Sequence, residues 1–128
     1  MRKLGFKRSA IGVATMSAAL LLGVAPGSAT ATSGPIVVST GDSRCTTSGT
    51  LCVFESEQFT NGRAAIYQDV DSECVTTPFG VLADLNLSDK SIAYFRSADC
   101  GGTAALIMPV GDLHSWKSYG PMYSFRGL

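Results

Sequence analysis

The most regular pattern of apolar and polar positions lies in residues 51–67, LCVFESEQFTNGRAAIY. Two apolar runs of strand length, LCVF and RAAIY, flank a polar stretch that ends in Asn61 and Gly62. Both of these residues tolerate positive φ, and an Asn-Gly pair between alternating apolar runs is a strong signal of a β-hairpin. The pattern therefore predicts two antiparallel strands whose connection turns at Gly62.

The same pattern recurs about forty residues further along the chain. Residues 54–66, FESEQFTNGRAAI, align with residues 95–106, FRSADCGGTAAL, when one loop residue is deleted. The alignment places Phe95 at the position of Phe54, and Cys100 at the position of the second aromatic, Phe59. A repeat of this kind indicates two copies of one supersecondary unit.

The other apolar runs are also short and strand-like. Residues 91–95 and 103–108 predict the second hairpin, Pro109 stops its last strand, and residues 122–125 predict a final strand. Residues 81–87 fit either a strand or one helical turn, and residues 68–80 predict an acidic, turn-rich connection. Trp116, the only tryptophan, is expected in the core or covering it. Without sustained helical periodicity, the chain predicts a compact all-β domain of about eight short strands.

Residues 1–31 have the three parts of a secretory signal peptide. Four basic residues within the first eight positions precede an apolar run over residues 10–24, and small residues at 29–31 suit signal peptidase. A transmembrane anchor is the alternative, but the apolar run is too short for a full span and contains Gly and Ser. We therefore expect cleavage before Thr32 and a secreted, extracellular mature chain.

The mature chain is expected to be acidic and to begin with a flexible arm. Four of the ten basic residues and none of the ten acidic residues lie in the leader, so six bases face ten acids, a net charge of −4. This charge argues against nucleic acid or an anionic membrane as partner, and against a basic toxin. Residues 32–44, rich in Ser, Thr, Gly and Pro, predict the arm, and residues 45–128 a single, monomeric domain.

Four cysteines, Cys45, Cys52, Cys74 and Cys100, all lie in the expected mature chain. An even number of cysteines in a small exported domain predicts two disulfides, for which three pairings are possible. The short loop between Cys45 and Cys52 could bring these two together, which would leave Cys74 to pair with Cys100. A four-cysteine metal site is disfavoured because the chain has no CxxC pair.

Groups that could carry out catalysis are few. His114 is the only histidine, and Asp112 would share its face on a strand, but no serine stands in a nucleophile-elbow motif. We therefore predict no enzymatic activity and no cofactor. Asp69, Asp71 and Glu73 could offer oxygen ligands to Ca²⁺, although a solvated acidic connection explains them as well.

The repeated hairpin resembles the βγ-crystallin Greek-key family, and more closely its secreted branch, peptidase inhibitor family I36. The matching stretches are residues 49–54 (GTLCVF), 59–63 (FTNGR) and 87–92 (LSDKSI). The resemblance implies a βγ-crystallin-like Greek-key sandwich of two related motifs. In such motifs two aromatics and a glycine fold the hairpin over the sheet, and a serine at the start of the fourth strand ties down that fold. These roles would fall to Phe54, Phe59, Gly62 and Ser91, with Ser124 as the counterpart of Ser91 in the second motif.

The resemblance also brings a calcium motif, in which two Asn or Asp residues are followed by Ser or Thr and then Ser. Asn86, Ser88 and Ser91 are the candidate ligands in this chain. Leu87 and Lys90 each replace a ligand, so the sequence matches only part of the motif.

The function implied by the resemblance is inhibition of an extracellular protease, a metalloprotease of thermolysin type. Such an inhibitor docks a rigid loop in the active site, because a loop that is already ordered loses little entropy on binding. Thermolysin-like enzymes favour an apolar residue after the scissile bond, so the bond between Cys74 and Val75 is the candidate inhibitory bond. The alternative is a non-catalytic Greek-key module that binds calcium or cell-envelope glycans.

Overall fold

A computed structural model describes residues 34–128, and the predicted signal peptide lies outside the described residues. This part of the chain is all-β, with nine strands, two short 3-10 helices and no α-helix. The strands are β1 (Ile36–Ser39), β2 (Thr50–Phe54), β3 (Arg63–Gln68), β4 (Val75–Val81), β5 (Ala83–Asn86), β6 (Ile92–Phe95), β7 (Leu106–Met108), β8 (Leu113–Ser115) and β9 (Met122–Gly127). Within residues 34–128, no helix has the length and apolar character needed to cross a membrane.

The strands form two antiparallel sheets that exchange strands. Sheet A has the order β1-β3-β2-β5-β8, and sheet B has the order β4-β9-β6-β7. Strands β2 to β5 and strands β6 to β9 are arranged alike: the first, second and fourth strands of each group share one sheet, and the third lies in the other. The two groups are therefore structural repeats, as the sequence pattern predicts.

The predicted hairpins are both present. β2 pairs with β3, and β6 pairs with β7, each in antiparallel register. The connections of both hairpins have positive φ at the aligned positions: 57° at Phe59 and 55° at Cys100, then 84° at Gly62 and 77° at Gly102. Positive φ is uncommon for residues other than glycine, so its recurrence at Phe59 and Cys100 shows that the two loops fold in the same way.

The main core lies between the sheets. Because side chains alternate along a strand, Leu51 and Val53 face this core, whereas Cys52 and Phe54 join a smaller cluster on the outer face of sheet A. Trp116 is buried in the main core, as expected, and its indole N–H donates a 2.9 Å hydrogen bond to the Val81 carbonyl. The largest side chains that fill the main core are Leu51, Tyr67, Ile92, Tyr94, Trp116, Met122 and Phe125.

The flexible arm that the sequence predicts over residues 32–44 contains a paired strand, β1. β1 pairs with β3, from Ile36 opposite Ile66 to Ser39 opposite Arg63. Residues 43–46 then form a 3-10 helix. The side chain of its N-cap residue, Asp42, accepts a hydrogen bond from the Arg44 N–H. A short apolar cluster between polar residues is enough for this strand, because an edge strand needs only one partner.

The prediction of a turn-rich connection over residues 68–80 is wrong in its second half, where β4 lies. The sequence does not predict this strand because it contains Pro78 and Gly80, and both residue types are disfavoured in the interior of a sheet. β4 tolerates them because it is an edge strand of sheet B, and its register with β9 is irregular between Thr76 and Val81. The ambiguous residues 81–87 contain a strand, β5.

Both disulfides have the pairing that the sequence favoured. Cys45 is bonded to Cys52, and Cys74 to Cys100. The first links a 3-10 helix to β2, and the second links the start of β4 to the connection between β6 and β7. Two disulfides indicate an oxidising, extracellular type of environment.

Candidate functional site

Residues 71–75, which lead into β4, form an exposed stretch that we call the braced segment. Ser72, Glu73 and Cys74 are exposed, and Asp71 and Val75 at its two ends are half-buried. The segment contains the candidate inhibitory bond between Cys74 and Val75. That bond lies at the surface where the segment becomes the edge strand β4, whose outer side pairs with no strand of residues 34–128.

The start of the braced segment is held by hydrogen bonds. The Asp71 carbonyl accepts a 2.6 Å hydrogen bond from the Gly127 N–H, and the Asp71 carboxylate accepts one of 2.8 Å from the Glu73 N–H. A Cβ atom at position 127 would lie 2.6 Å from the Asp71 carbonyl oxygen, so this close approach requires glycine.

The other end of the segment is held by a disulfide and by sheet B. Cys74 is bonded to Cys100, and Val75 pairs with Phe125 of β9. Just beyond the segment, the Thr76 hydroxyl donates a 2.5 Å hydrogen bond to the Ala98 carbonyl, in the same loop as Cys100. The exposed residues are thus fixed from both sides.

Ser124 on β9 fixes the loop that receives this disulfide. Its hydroxyl accepts a 2.9 Å hydrogen bond from the Cys100 N–H and donates one of 2.5 Å to the Ser97 carbonyl. Ser124 is fully buried and lies opposite Phe95. A buried hydroxyl on the fourth strand of its group therefore satisfies the backbone of a bent hairpin loop.

Ser91 does not have the equivalent position in the first group, which corrects the prediction. The fourth strand of that group is β5, and Ser91 lies beyond it, directly before β6. Phe54, the counterpart of Phe95, lies opposite Ala83, which has no hydroxyl. Ser91 instead contributes its carbonyl, which accepts a 2.9 Å hydrogen bond from the Leu128 N–H.

In the first hairpin loop, other side-chain contacts do what the Ser124 hydroxyl does in the second. The rings of Phe54 and Phe59 meet edge to face with centroids 5.0 Å apart. Arg63 donates hydrogen bonds to both oxygens of Glu55 across the turn that contains Gly62. These hydrogen bonds hold the pKa of Glu55 at about 2.

Two of the three candidate calcium ligands, Asn86 and Ser88, form hydrogen bonds within the fold. Asn86 is fully buried; its amide N–H groups donate to the carbonyls of Lys90 (2.8 Å) and Pro109 (3.1 Å). Its side-chain oxygen accepts a 2.6 Å hydrogen bond from the Ser88 hydroxyl, so that oxygen is engaged within the protein. Among the residues that the structure describes, no group of three or more His, Cys, Asp or Glu side chains could hold a metal ion.

His114 and Asp112 lie close together, as predicted. His114 is on β8 at the edge of sheet A, and its Nδ1 lies 3.8 Å from the Asp112 Oδ2. More than half of the imidazole is exposed to solvent. The pair therefore has the geometry of a surface ion pair that forms when the histidine is protonated.

Asp84 is the functional-looking group that sequence reasoning missed. It is fully buried on β5, where its Oδ2 accepts a 2.8 Å hydrogen bond from the Tyr94 hydroxyl. Its Oδ1 and the buried Tyr67 hydroxyl have no partner within residues 34–128. Burial, with a smaller contribution from nearby Asp112, raises the pKa of Asp84 to about 7 against the opposing effect of the Tyr94 hydrogen bond. The one sequence signal is an acid inside the apolar run VLADLNL.

Comparison of the chain with models of known protein families, with curated protein sequences and with solved structures gave no match. Within residues 34–128, the braced segment combines three properties: it is exposed, it continues into the edge strand β4, and it is fixed at both ends.

Proposed function

We propose that this protein is a secreted inhibitor of an extracellular metalloprotease of thermolysin type, and that the braced segment enters the enzyme's active-site cleft. The observation that carries this proposal is the position of the bond between Cys74 and Val75. It lies at the surface, at the beginning of a free edge strand, and it is held by a disulfide on one side and by sheet pairing on the other.

Two physical arguments support this role. An edge strand offers unpaired backbone groups to a partner chain, so residues 74–76 can add to an enzyme cleft as an extended strand. A segment that is already fixed loses little conformational entropy when it docks, and this favours tight binding. The exposed part of Val75 supplies the apolar group that a thermolysin-like subsite prefers.

We also propose that the two strand groups are Greek-key motifs of the βγ-crystallin type. Three observations support this. The third strand of each group lies in the other group's sheet. The hairpin loops share positive φ at Phe59 and Cys100. Ser124 ties one hairpin loop to the fourth strand, as a serine does in that family.

The proposal includes export of the mature chain. The leader-like composition of residues 1–31 and the two disulfides both fit a protein that folds outside the cytoplasm. The expected partner is a protease in the same extracellular space, and the protein itself performs no catalysis.

The test is to titrate thermolysin, subtilisin and trypsin with the folded protein from Thr32 to Leu128. We expect stoichiometric inhibition of thermolysin, with weaker or no inhibition of the two serine proteases. No inhibition of any of the three, by protein shown to be folded, would sink the proposal. A melting temperature that rises on addition of Ca²⁺ would instead favour the alternative calcium-binding module.

A further inference from the structure

A second surface feature, separate from the bond between Cys74 and Val75, is an open depression of about 460 Å³ beside the connection between β6 and β7. This volume falls within the range of sites for small molecules. We call it the Arg96 depression. Its lining residues are Arg96, Ser97, Gly101, Thr103, Ala105 and Tyr119.

Arg96 differs from the other basic residues of the described part. Four of those residues form ion pairs: Arg44 with Asp42, Arg63 with Glu55, Lys90 with Asp89, and Lys117 with Glu57. The guanidinium of Arg126 lies over the Phe95 ring, 5.5 Å from its centroid. Arg96 alone has neither a carboxylate nor an aromatic partner within residues 34–128. Residues 34–128 contain ten acidic and six basic side chains, and among these Arg96 is the one guanidinium left open to a carboxylate from outside.

The other side chains of the depression suit a sugar ring. Tyr119 is 54% exposed, so its ring is accessible as an apolar platform. The hydroxyls of Tyr119 and Thr103 make no hydrogen bond within residues 34–128, so both are free to bond to a ligand. Aromatic side chains with a polar tip are common where a ligand has both apolar faces and hydroxyl groups.

The wall of the depression is rigid. The Ser97 hydroxyl accepts a 2.8 Å hydrogen bond from the Gly101 N–H, and Asp99 accepts a second from the same N–H. The neighbouring Cys100 is bonded to Cys74 and held by Ser124. A ligand would therefore meet a site whose backbone is already ordered, which lowers the entropic cost of binding.

We propose that the Arg96 depression binds a carboxylate-bearing sugar, such as a uronic acid unit of an extracellular glycan. The Arg96 guanidinium pairs with the sugar carboxylate through two parallel N–H···O bonds, the geometry that gives arginine its selectivity for carboxylates. The Tyr119 ring packs against the apolar face of the sugar, and the Thr103 hydroxyl bonds to a ring hydroxyl. This activity is independent of protease inhibition and would hold the secreted protein near acidic glycans.

The test is to titrate the folded, isotope-labelled protein with glucuronate and follow the amide resonances of Gly101 and Thr103. We expect saturable shifts at these residues with glucuronate and much weaker binding of glucose, which lacks the carboxylate. The matched variants are Arg96→Gln and Arg126→Gln, which remove the same charge. Arg96→Gln should weaken glucuronate binding by about ten-fold or more, whereas Arg126→Gln should leave it unchanged.

Several outcomes would overturn the proposal. Glucuronate shifts that do not saturate, or that weaken equally in both variants, would mean non-specific charge attraction. Equal binding of glucose and glucuronate would exclude the role of Arg96. Saturable binding of a glutamate-rich peptide at the same resonances, without binding of glucuronate, would assign the site to an acidic peptide.

Discussion

Several polar residues are fully buried in this fold, among them Asp84, Asn86 and Ser124. The Asp84 carboxyl has one hydrogen-bond partner, the Tyr94 hydroxyl. Burial of a carboxyl disfavours its charged form, and the pKa of Asp84 is accordingly raised to about 7. The stability of the fold should therefore depend on whether Asp84 carries a proton.

We predict that the free energy of unfolding decreases as the pH rises from about 4 to about 7. In this range the folded state retains a proton on Asp84, whose pKa is raised from 3.8 to about 7, whereas the unfolded chain has lost it. The loss should be roughly 2–4 kcal/mol and should level off above pH 7. Asp84→Asn, which mimics the protonated acid, should flatten this slope and be more stable than the natural protein at pH 8.

Urea unfolding at a series of pH values measures this effect. Glu55, whose hydrogen bonds from Arg63 lower its pKa from 4.5 to about 2, makes stability change with pH only below about 4.5. Its stabilising effect is present above the unfolded pKa and is lost as the pH falls towards 2, so it does not mask Asp84. Parallel slopes for the natural protein and Asp84→Asn between pH 4 and 8 would show that Asp84 is not the group responsible.

The two serines assigned to the hairpin loops give a second prediction at the residue scale. Ser124→Ala should destabilise the protein by about 1–3 kcal/mol, because it leaves the Cys100 N–H and the Ser97 carbonyl without their partner. Ser91→Ala should change stability by less than about 0.5 kcal/mol, since the Ser91 hydroxyl makes no hydrogen bond within residues 34–128. Thermal unfolding of both variants checks this, and a larger loss for Ser91→Ala would reverse the assignment.

At the scale of the element, the braced segment depends on its contact with the end of β9. Gly127→Ala would place a Cβ atom 2.6 Å from the Asp71 carbonyl oxygen, which is backbone and has little room to move. We expect a destabilisation of about 1–3 kcal/mol and a loosened segment that inhibits less well. Gly34→Ala is the matched control, because nothing lies within 4 Å of its added Cβ.

Unfolding midpoints and inhibition constants of both glycine variants test this contact. Amide exchange at Ser72 and Glu73 reports directly on the segment and should accelerate in Gly127→Ala alone. If Gly127→Ala loses stability but keeps both its exchange rates and its inhibition, the contact supports the sheet and not the segment.

The elements also show which parts of the fold a sequence reveals. β2 and β3 were predictable because apolar residues alternate on both sides of a strong turn signal, Asn61 and Gly62. β4 was not, because Pro78 and Gly80 lie inside it and are tolerated only at a sheet edge. β1 was not predictable either, because an apolar run of three residues between Ser, Thr and Gly looks like a linker in the sequence. Only its pairing with β3 makes it a strand.

The candidate site was predictable in its covalent part and not in its non-covalent part. The short loop between Cys45 and Cys52 left Cys74 to pair with Cys100, and this second bond fixes one end of the braced segment. The hydrogen bond from the Gly127 N–H to the Asp71 carbonyl joins residues far apart in sequence, so no local sequence pattern predicts it. The assignment of Ser91 failed for the same reason: only the pairing of β5 with β2 shows that Ala83 occupies the serine position.

At the scale of the whole molecule, the exchange of third strands joins the two strand groups. β4 pairs with β9 of the second group, and β8 pairs with β5 of the first, so each sheet is incomplete without the other group. The braced segment lies where the chain leaves sheet A for sheet B. Its conformation is therefore maintained by the whole fold and not by its own sequence, which suits a rigid inhibitory contact.

The inhibition constants of two disulfide variants against thermolysin test whether the braced segment is the inhibitory contact. Cys74→Ala/Cys100→Ala removes the disulfide at the braced segment, and Cys45→Ala/Cys52→Ala removes the other one. At a temperature where both are folded, we predict inhibition at least about ten-fold weaker in the first variant, with cleavage between positions 74 and 75, and nearly unchanged inhibition in the second. Equal inhibition by both variants, or loss only in the second, would show that the braced segment is not the inhibitory contact.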